Sequence, residues 1–233
     1  MYSKLILEYI ICELYSKIKY SDCIKNCIVS GQIFERVDRF KYLGSTITEG
    51  NKNSDEVTAR ISLGNKCFYS LQNIIKSKSV SINSKVKIYT TIMRPVVMYA
   101  SETWTLTSEQ EEQLLRWERK ILRKIYGPIQ ENGEWRIRMN HEINRVFNRP
   151  TITKEIRSKR LSWLGHVERM DDKRNTKNYL RKELNGKRPR GRPRKRWIDG
   201  INQDLKDLGI REWEKQAKER KTWAAIVKQA KHT

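Results

Sequence analysis

The sequence predicts a mainly α chain: a small β-hairpin, then an antiparallel helical bundle, then a basic helical tail that contains a Pro/Gly/Arg linker. Three observations carry this expectation. From Val57 onward apolar residues recur at spacings of three and four through most of the chain. The stretch from Cys27 to Thr48 is instead rich in β-branched and aromatic residues around Gly31, the pattern of short extended segments joined by a turn. Between two helical stretches lies KRPRGRPRKR, residues 187–196, in which seven of ten residues are Lys or Arg and the others are two Pro and one Gly. A helix does not form through that composition.

Within the first stretch, Phe40 and Tyr42 are expected on one face of an extended segment and Leu43 and Ile47 on the other. Polar residues then lead to Ser54, Asp55 and Glu56, a hydroxyl cap and acidic first turn that satisfy free amides and the helix dipole. The first helix follows, with Val57, Ile61, Gly64, Phe68, Leu71 and Ile75 on one stripe. A second begins near Ser81, with Ile82, Val86, Tyr89 and Met93, and Pro95 breaks or kinks it. VVMYASETWTL is expected to be buried. The third helix carries a capping box at Ser108 and Glu111, an apolar stripe of Leu114, Leu115, Ile121, Leu122 and Ile125, and a stop at Gly127-Pro128. Later runs use Ile152, Ile156, Trp163 and Val167; Trp197, Ile201, Leu205 and Leu208; and Ile210, Trp213, Ala217, Ala224 and Val227. Tryptophans at helical spacing are read as core.

Composition narrows the function. Lys and Arg number 49 against 27 Asp and Glu, a formal net charge of +22, and the sequence pI is near 10.0. A polyanion is the expected partner, because each cation placed on a phosphate releases condensed counterions. With 37% apolar and 33% charged residues over 233 positions, and a mean hydropathy of −0.78, the chain suits one packed region with long charged helices, or two small ones. No membrane span is expected: MYSKLILEYIICELY is interrupted by Glu8 and Glu13 and is shorter than the ~20 residues a spanning helix needs. Cys12, Cys23, Cys27 and Cys67 have no C-x-x-C spacing, and His141, His166 and His232 form no ligand pair, so buried thiols in a reducing compartment are expected rather than zinc.

The segment Lys187, Arg188, Arg190, Gly191, Arg192, Arg194, Lys195 and Arg196 is the candidate nucleic-acid-binding element. Its two Pro hold the backbone extended, and Gly191 leaves room for close approach between Arg190 and Arg192. It resembles an AT-hook, whose Arg-Gly-Arg-Pro core lies in the minor groove of A·T-rich duplex. A solvated linker and a nuclear localisation signal use the same composition. Asp171-Asp172 reads as a solvated helix terminus, and His166 as a packing or hydrogen-bonding residue. No nucleophile elbow, phosphate-binding loop or zinc cluster is present in the sequence.

Several blocks agree in order with one family. FKYLGSTIT (Phe40 to Thr48), RPVVMYASETWTL, ERKILRKIYG, RLSWLGHVERM, GKRPRGRPRKRWIDGINQDL and EWEKQAKERKTW together resemble the carboxyl-terminal part of the endonuclease/reverse transcriptase polyprotein of non-LTR retrotransposons, over roughly residues 28–230. The resemblance implies that Phe40, Lys41, Tyr42, Leu43 and Gly44 form a primer-grip-like hairpin at the palm-to-thumb boundary, that the following helices form the thumb, and that the remainder handles template RNA or target DNA. It implies four regions: residues 1–30, a residual or replaced palm; 31–48, the primer-grip-like hairpin; 54–127, a thumb-like helical bundle; and 133–233, a basic carboxyl-terminal helical region.

Polymerisation requires two metal ions held by palm carboxylates, which in that family include an aromatic-Ala-Asp-Asp turn upstream of the primer grip. Residues 1–30 offer only Glu8, Glu13 and Asp22, unpaired. The expectation is therefore a nucleic-acid-binding fragment of an RNA-directed DNA polymerase, with no catalytic residue, no metal ligand and no enzyme activity of its own. Mg²⁺ would be required only by the missing palm. RNA and DNA are the expected partners, a membrane is not, and the expected location is nuclear with cytoplasmic residence also compatible. The alternatives are an AT-hook-like DNA-binding protein and a non-functional product of a decayed element. As a test of the bundle, Leu122→Ala is expected to lower stability by about 2 to 5 kcal/mol, read as a reduced denaturation midpoint; an unchanged midpoint would mean an exposed helix.

Overall fold

Two short hairpins in series occupy the extended stretch. In the computed structural model β1 (Asn26–Val29) pairs antiparallel with β2 (Gln32–Glu35), and β3 (Arg39–Tyr42) with β4 (Ser45–Thr48). The structure describes residues 26–29, 32–35, 37–48, 53–181, 190–191 and 195–232. The amino-terminal segment through residue 25, with Glu8, Cys12, Glu13, Asp22 and Cys23, lies outside them, as do Gly31 and, in the basic segment, Lys187, Arg188, Arg192 and Arg194. Chain contacts outline two compact units, residues 1–56 with 170–193 and residues 57–169 with 194–233.

In the first unit the β3–β4 turn is Leu43-Gly44, both at positive φ (47° and 79°). Such a two-residue turn matches the right-handed twist of the flanking strands. It sets Phe40 opposite Ile47 and Tyr42 opposite Ser45. Directly paired residues share a face, so Phe40 and Ile47 lie on the same face, correcting the alternation expected for one uninterrupted strand. The chain reversal between them supplies the difference. The Thr46 amide donates at 2.7 Å to the buried Glu56 carboxylate, which satisfies a donor that a short sheet leaves unpaired at its edge. In the same unit Asp171 and Asp172 are exposed at the turn before α8 (Asn175–Arg181), where Asp171 accepts the Lys173 amide at 2.8 Å and Asp172 meets Lys177 at 2.7 Å.

The second unit is built from the helices. α1 (Asn53–Ser70) runs into it from the acidic turn Asp55-Glu56, and α2 (Gln72–Lys76) continues the same direction of chain. Ser81 caps α3 (Ile82–Ile88), accepting the Ser84 amide at 3.2 Å. Pro95 does not end this run. The helix widens into a π-turn over Tyr89–Met93, in which the Arg94 amide bonds the Tyr89 carbonyl, and resumes as α4 (Arg94–Val97). A π-turn absorbs the donor that proline lacks without breaking the axis. It also brings Tyr89, Met93, Arg94 and Val97 all into the core. The following segment is mostly buried, with Trp104 fully enclosed, but Tyr99 is 47% exposed and corrects the expectation there.

The cap of α5 (Ser108–Tyr126) is Thr107, one residue earlier than Ser108. Thr107 Oγ1 accepts the Gln110 amide at 3.4 Å and Gln110 Oε1 accepts the Thr107 amide at 3.0 Å. Thr-x-x-Gln and Ser-x-x-Glu overlap by one residue here, and the extended backbone at Thr107 selects the first. The buried stripe is Leu114, Trp117, Glu118, Ile121, Leu122 and Ile125, while Leu115 is half-buried. Trp117 lies against α1 where Gly64 leaves space: a Cβ there would stand 2.8 Å from the indole and overlap Val97. Its ring nitrogen donates to Asn65 Oδ1 at 3.2 Å.

After Gly127 a third hairpin, β5 (Ile129–Glu131) and β6 (Glu134–Arg136), turns through Asn132-Gly133, again both at positive φ. α6 (Asn140–Phe147) and α7 (Ile152–Glu168) follow, and their Ile143, Phe147, Ile152 and Ile156 belong to the same hydrophobic core as Val57, Met93 and Leu122. α9 (Trp197–Asp207) uses the expected apolar positions. The last expected run is two helices, α10 (Trp213–Lys218) and α11 (Arg220–Gln229), separated at Glu219, whose backbone is extended. The break shifts the phase, so α11 buries Trp223, Ile226 and the following Ala230, and Ala224 is exposed. Gly165 of α7 admits the Trp223 indole where any Cβ would collide, and the indole N–H donates to the Leu161 carbonyl at 2.8 Å.

One buried polar cluster joins three segments. Glu118 accepts from the Tyr89 hydroxyl at 2.7 Å and from the Ile152 amide at 2.9 Å, and lies 3.3 Å from Arg94, which donates to the Pro150 carbonyl at 2.5 Å. Burial pushes the Glu118 carboxyl above its ordinary range, against the pull of Arg94 and its hydrogen bonds. A raised folded-state pKa contributes stability that is complete below the ordinary carboxylate value and is lost as pH rises through the folded one. Arg94→Met removes the charge that opposes this shift, so its stability deficit is expected to be larger at pH 8 than at pH 5. Glu118→Gln leaves the buried guanidinium without its carboxylate and is expected to cost about 3 to 5 kcal/mol, with a deficit no larger at pH 8 than at pH 5 because Gln does not titrate. Denaturant unfolding of the two variants at the two pH values checks this, and a pH-independent Arg94→Met deficit would contradict it.

Candidate nucleic-acid interface

Two groups of residues were expected to meet nucleic acid, and the structure describes the first fully and, of the second, Arg190, Gly191, Lys195 and Arg196. The primer-grip-like group is a single tight hairpin. Lys41 and Leu43 are exposed, Phe40 is 36% exposed, and Tyr42 is half-buried, while Ser45 and Ile47 on the returning strand are buried. The hairpin thus presents an aromatic, a cation and a turn from a strand pair whose other member is anchored. Gly44 at φ 79° occupies a conformation that an L side chain rarely adopts.

Of the basic segment, Arg190 and Gly191 belong to the first unit, and Lys195 and Arg196 to the second. All four are exposed. Gly191 has φ 95°, with nothing within 4 Å of where a Cβ would stand. Lys195 and Arg196 lead directly into α9. The Asp199 carboxylate accepts the Arg196 amide at 2.8 Å, so α9 is capped by its own third residue. Trp197 donates from its ring to the Glu102 carbonyl at 2.8 Å. Gly200 faces Lys195: a Cβ built there would be 3.6 Å from Lys195 Cε and 3.7 Å from an Arg160 nitrogen.

The charges beneath this segment are mutually satisfied. Arg160 is buried and pairs with Asp204, Arg157 meets Asp204 at 3.1 Å and Asp207 at 3.7 Å, and the three helical acids thereby hold α9 to α7 through Asp204 and to its own cap through Asp199. What this leaves facing solvent at the head of α9 is Lys195 and Arg196. The arrangement can grip phosphates by charge, and the anchored helix gives those cations a fixed origin.

Sequence reading missed a second exposed feature. In EWRIRM the residues alternate, and the structure turns Trp135, Ile137 and Met139 outward at 69%, 74% and 55% exposure. The period-two pattern was available but was embedded in a region read for helical spacing. His166, by contrast, lies exposed with its ring 5.5 Å from Trp163, in keeping with a packing role. Cys67 is a free, half-buried thiol whose pKa burial raises. Among the described residues no three His, Cys, Asp or Glu are grouped so as to hold a metal ion, and no helix is long and apolar enough to cross a membrane.

The architecture is a mainly helical, strongly basic chain with a small early hairpin. It is similar to an uncharacterized transposon-derived protein of Caenorhabditis elegans, 26% identical over 201 residues that cover 82% of this chain and 71% of that protein. The likeness supports a transposon-related origin. No family model matches the sequence, and no solved structure matches it. Replacing Asp199 by Ala removes the α9 cap and is expected to cost about 0.5 to 2 kcal/mol. Loss of helix content on melting would report it, and an unaltered melt would show that Asp204 alone holds the helix.

Proposed function

We propose that this chain is a nucleic-acid-binding fragment of a transposon-encoded reverse transcriptase, derived from the primer grip, thumb and basic carboxyl-terminal region of the non-LTR class, without polymerase activity of its own. The observation that carries the reading is the basic segment ending at α9: exposed Lys195 and Arg196 stand just ahead of a helix whose acids are already spent on Arg157, Arg160 and the cap. The colinear sequence blocks and the similarity to a transposon-derived protein support the lineage. The tight Phe40–Gly44 hairpin is compatible with a primer-grip-like role. RNA and DNA are the proposed partners, acting in the nucleus.

The second reading, an AT-hook-like DNA-binding protein, is favoured by Gly191 at φ 95° with open space around it, since minor-groove binding needs the backbone to approach closely between two arginines. The two readings separate in one experiment. If about five phosphates are neutralised, log K against log salt has a slope of about −4.5, and a fourfold rise in salt weakens binding roughly 500-fold. Replacing Lys187 or Lys195 is expected to weaken A·T duplex, G·C duplex and RNA alike and to flatten the slope by about one unit. Replacing Arg190 or Arg192 costs about 1 to 3 kcal/mol selectively on A·T-rich duplex only under the second reading. If none of these variants alters binding to any of the three, both readings of the segment fail. Primer extension on an RNA template with Mg²⁺ or Mn²⁺ is expected to give no product above a no-protein control, and extension that survives repurification would overturn the catalytic part of the proposal.

A further inference from the structure

In the strip from β6 to the start of α6 half-buried arginines alternate with exposed apolar side chains. The even-numbered arginines turn inward. Arg136 forks onto both oxygens of Glu142, at 2.8 and 2.7 Å, and also pairs with Glu131. Arg138 donates to the Gly127 carbonyl at 3.1 Å. From α5, Arg123 reaches across to the Arg138 carbonyl at 2.9 Å and the Asn140 side chain at 2.6 Å. The strip is thereby fastened at both ends, to the exit of α5 and to the first turn of α6. Arg136, with help from the Met139 amide, holds the Glu142 carboxyl at about 2, so this clasp stays charged throughout the neutral range.

The odd-numbered residues face the other way. Trp135, Ile137 and Met139 are the large apolar side chains of the strip, and each is more than half exposed. Leaving a fixed row of this kind in water is costly, by about 25 cal/mol per Å² of apolar area, and it marks a contact surface rather than a stray hydrophobe. Charge indicates what covers it. Residues 119–149 carry eight Lys and Arg against three Glu, and two of those three Glu are paired with Arg136. Exposed Arg116, Lys120 and Lys124 form an i, i+4 row on α5, and Arg145 of α6 and Arg149, just past the left-handed Asn148 that ends it, are exposed as well. An apolar, aromatic strip within a strongly basic stretch of chain suits a ligand with flat apolar faces and a negative backbone.

We propose that the Trp135–Ile137–Met139 strip is a base-stacking platform for an unpaired nucleic-acid strand, with the α5 and α6 cations on its phosphates. The proposal rests on the nucleic-acid-binding reading above and adds a site that lies outside the basic segment. Single strands fit because their bases expose the π-faces that a duplex buries in its own stack. The rigid backbone beneath the strip lowers the ordering cost of binding, since the arginine clasps have already fixed it.

The test uses the full chain with its basic segment unaltered. Fluorescence anisotropy on labelled oligothymidylate, oligouridylate and a mixed-sequence duplex of equal length reads Kd for the wild type, Trp135→Ala, Trp135→Phe and Ile137→Ser. Trp135→Ala is expected to weaken both single strands about 5- to 150-fold and to leave the duplex unchanged, and Trp135→Phe to retain most of the single-strand affinity. Ile137→Ser is expected to fall between them. Because both side chains are exposed, neither substitution disturbs the core. Wild-type affinity on single strands in both Trp135→Ala and Ile137→Ser overturns the platform while leaving the basic-segment reading intact. Equal losses on single strands and duplex overturn base stacking as the mode of contact. Unchanged binding accompanied by a shift in sedimentation would assign the strip to self-association instead. A wild-type protein that binds none of the three probes removes both this proposal and the reading it rests on.

Discussion

The second unit depends on one buried carboxylate. Glu118 sits in the middle of α5, 2% exposed, and takes hydrogen bonds from the Tyr89 hydroxyl at the first residue of the π-turn and the Ile152 amide at the start of α7. Placing an acceptor at a helix start satisfies a donor that the helix cannot use and complements its dipole. Arg94 neutralises the charge and spends its remaining reach on the Pro150 carbonyl. Three segments distant in sequence are thereby fixed in one geometry, and the apolar side chains from Val57 to Ile156 close around it. Desolvating the pair is expensive, so its value lies less in net stability than in specifying which helix faces meet.

The same device recurs with different partners. Asp204 holds Arg157 and Arg160 and so attaches α9 to α7; Glu142 and Glu131 hold Arg136 and so attach the third hairpin to α6. In each case guanidinium geometry does what a small apolar core cannot, because a planar fork fixes direction as well as distance. The consequence for function is that the excess of positive charge is not uniformly available. Arg94, Arg123, Arg136, Arg138, Arg157 and Arg160 are engaged within the fold. Among the described residues, the cations left to meet a polyanion include those on exposed helix faces, Lys41 of the hairpin, Arg190, and Lys195 and Arg196 at the head of α9.

Local signals were read well where local physics decides. The capping pattern ahead of α5, the stop at Gly127 and the Leu114-to-Ile125 stripe were legible, though the cap itself is Thr107 rather than Ser108, whereas the tight turn at Leu43-Gly44 was read as part of an extended segment. Leu122 is buried as its stripe position requires. Pro95 misled because its effect depends on whether the preceding turn can widen, and the split at Glu219 was hidden because apolar spacing continues across it. Of the candidate interface, the basic segment was conspicuous in sequence, whereas the outward strip around Trp135 was not.

The mainly helical class, the early hairpin and the basic character follow from residue order alone, because periodicity, capping residues, turn glycines and charge act over a few neighbours. The pairing of Glu118 with Arg94, the inward turn of Arg136 and Arg138, and the exposure of Trp135 were decided only in three dimensions. Each depends on which side chains from remote segments arrive within hydrogen-bond distance, and a buried arginine is indistinguishable from a solvated one until its partner is in place.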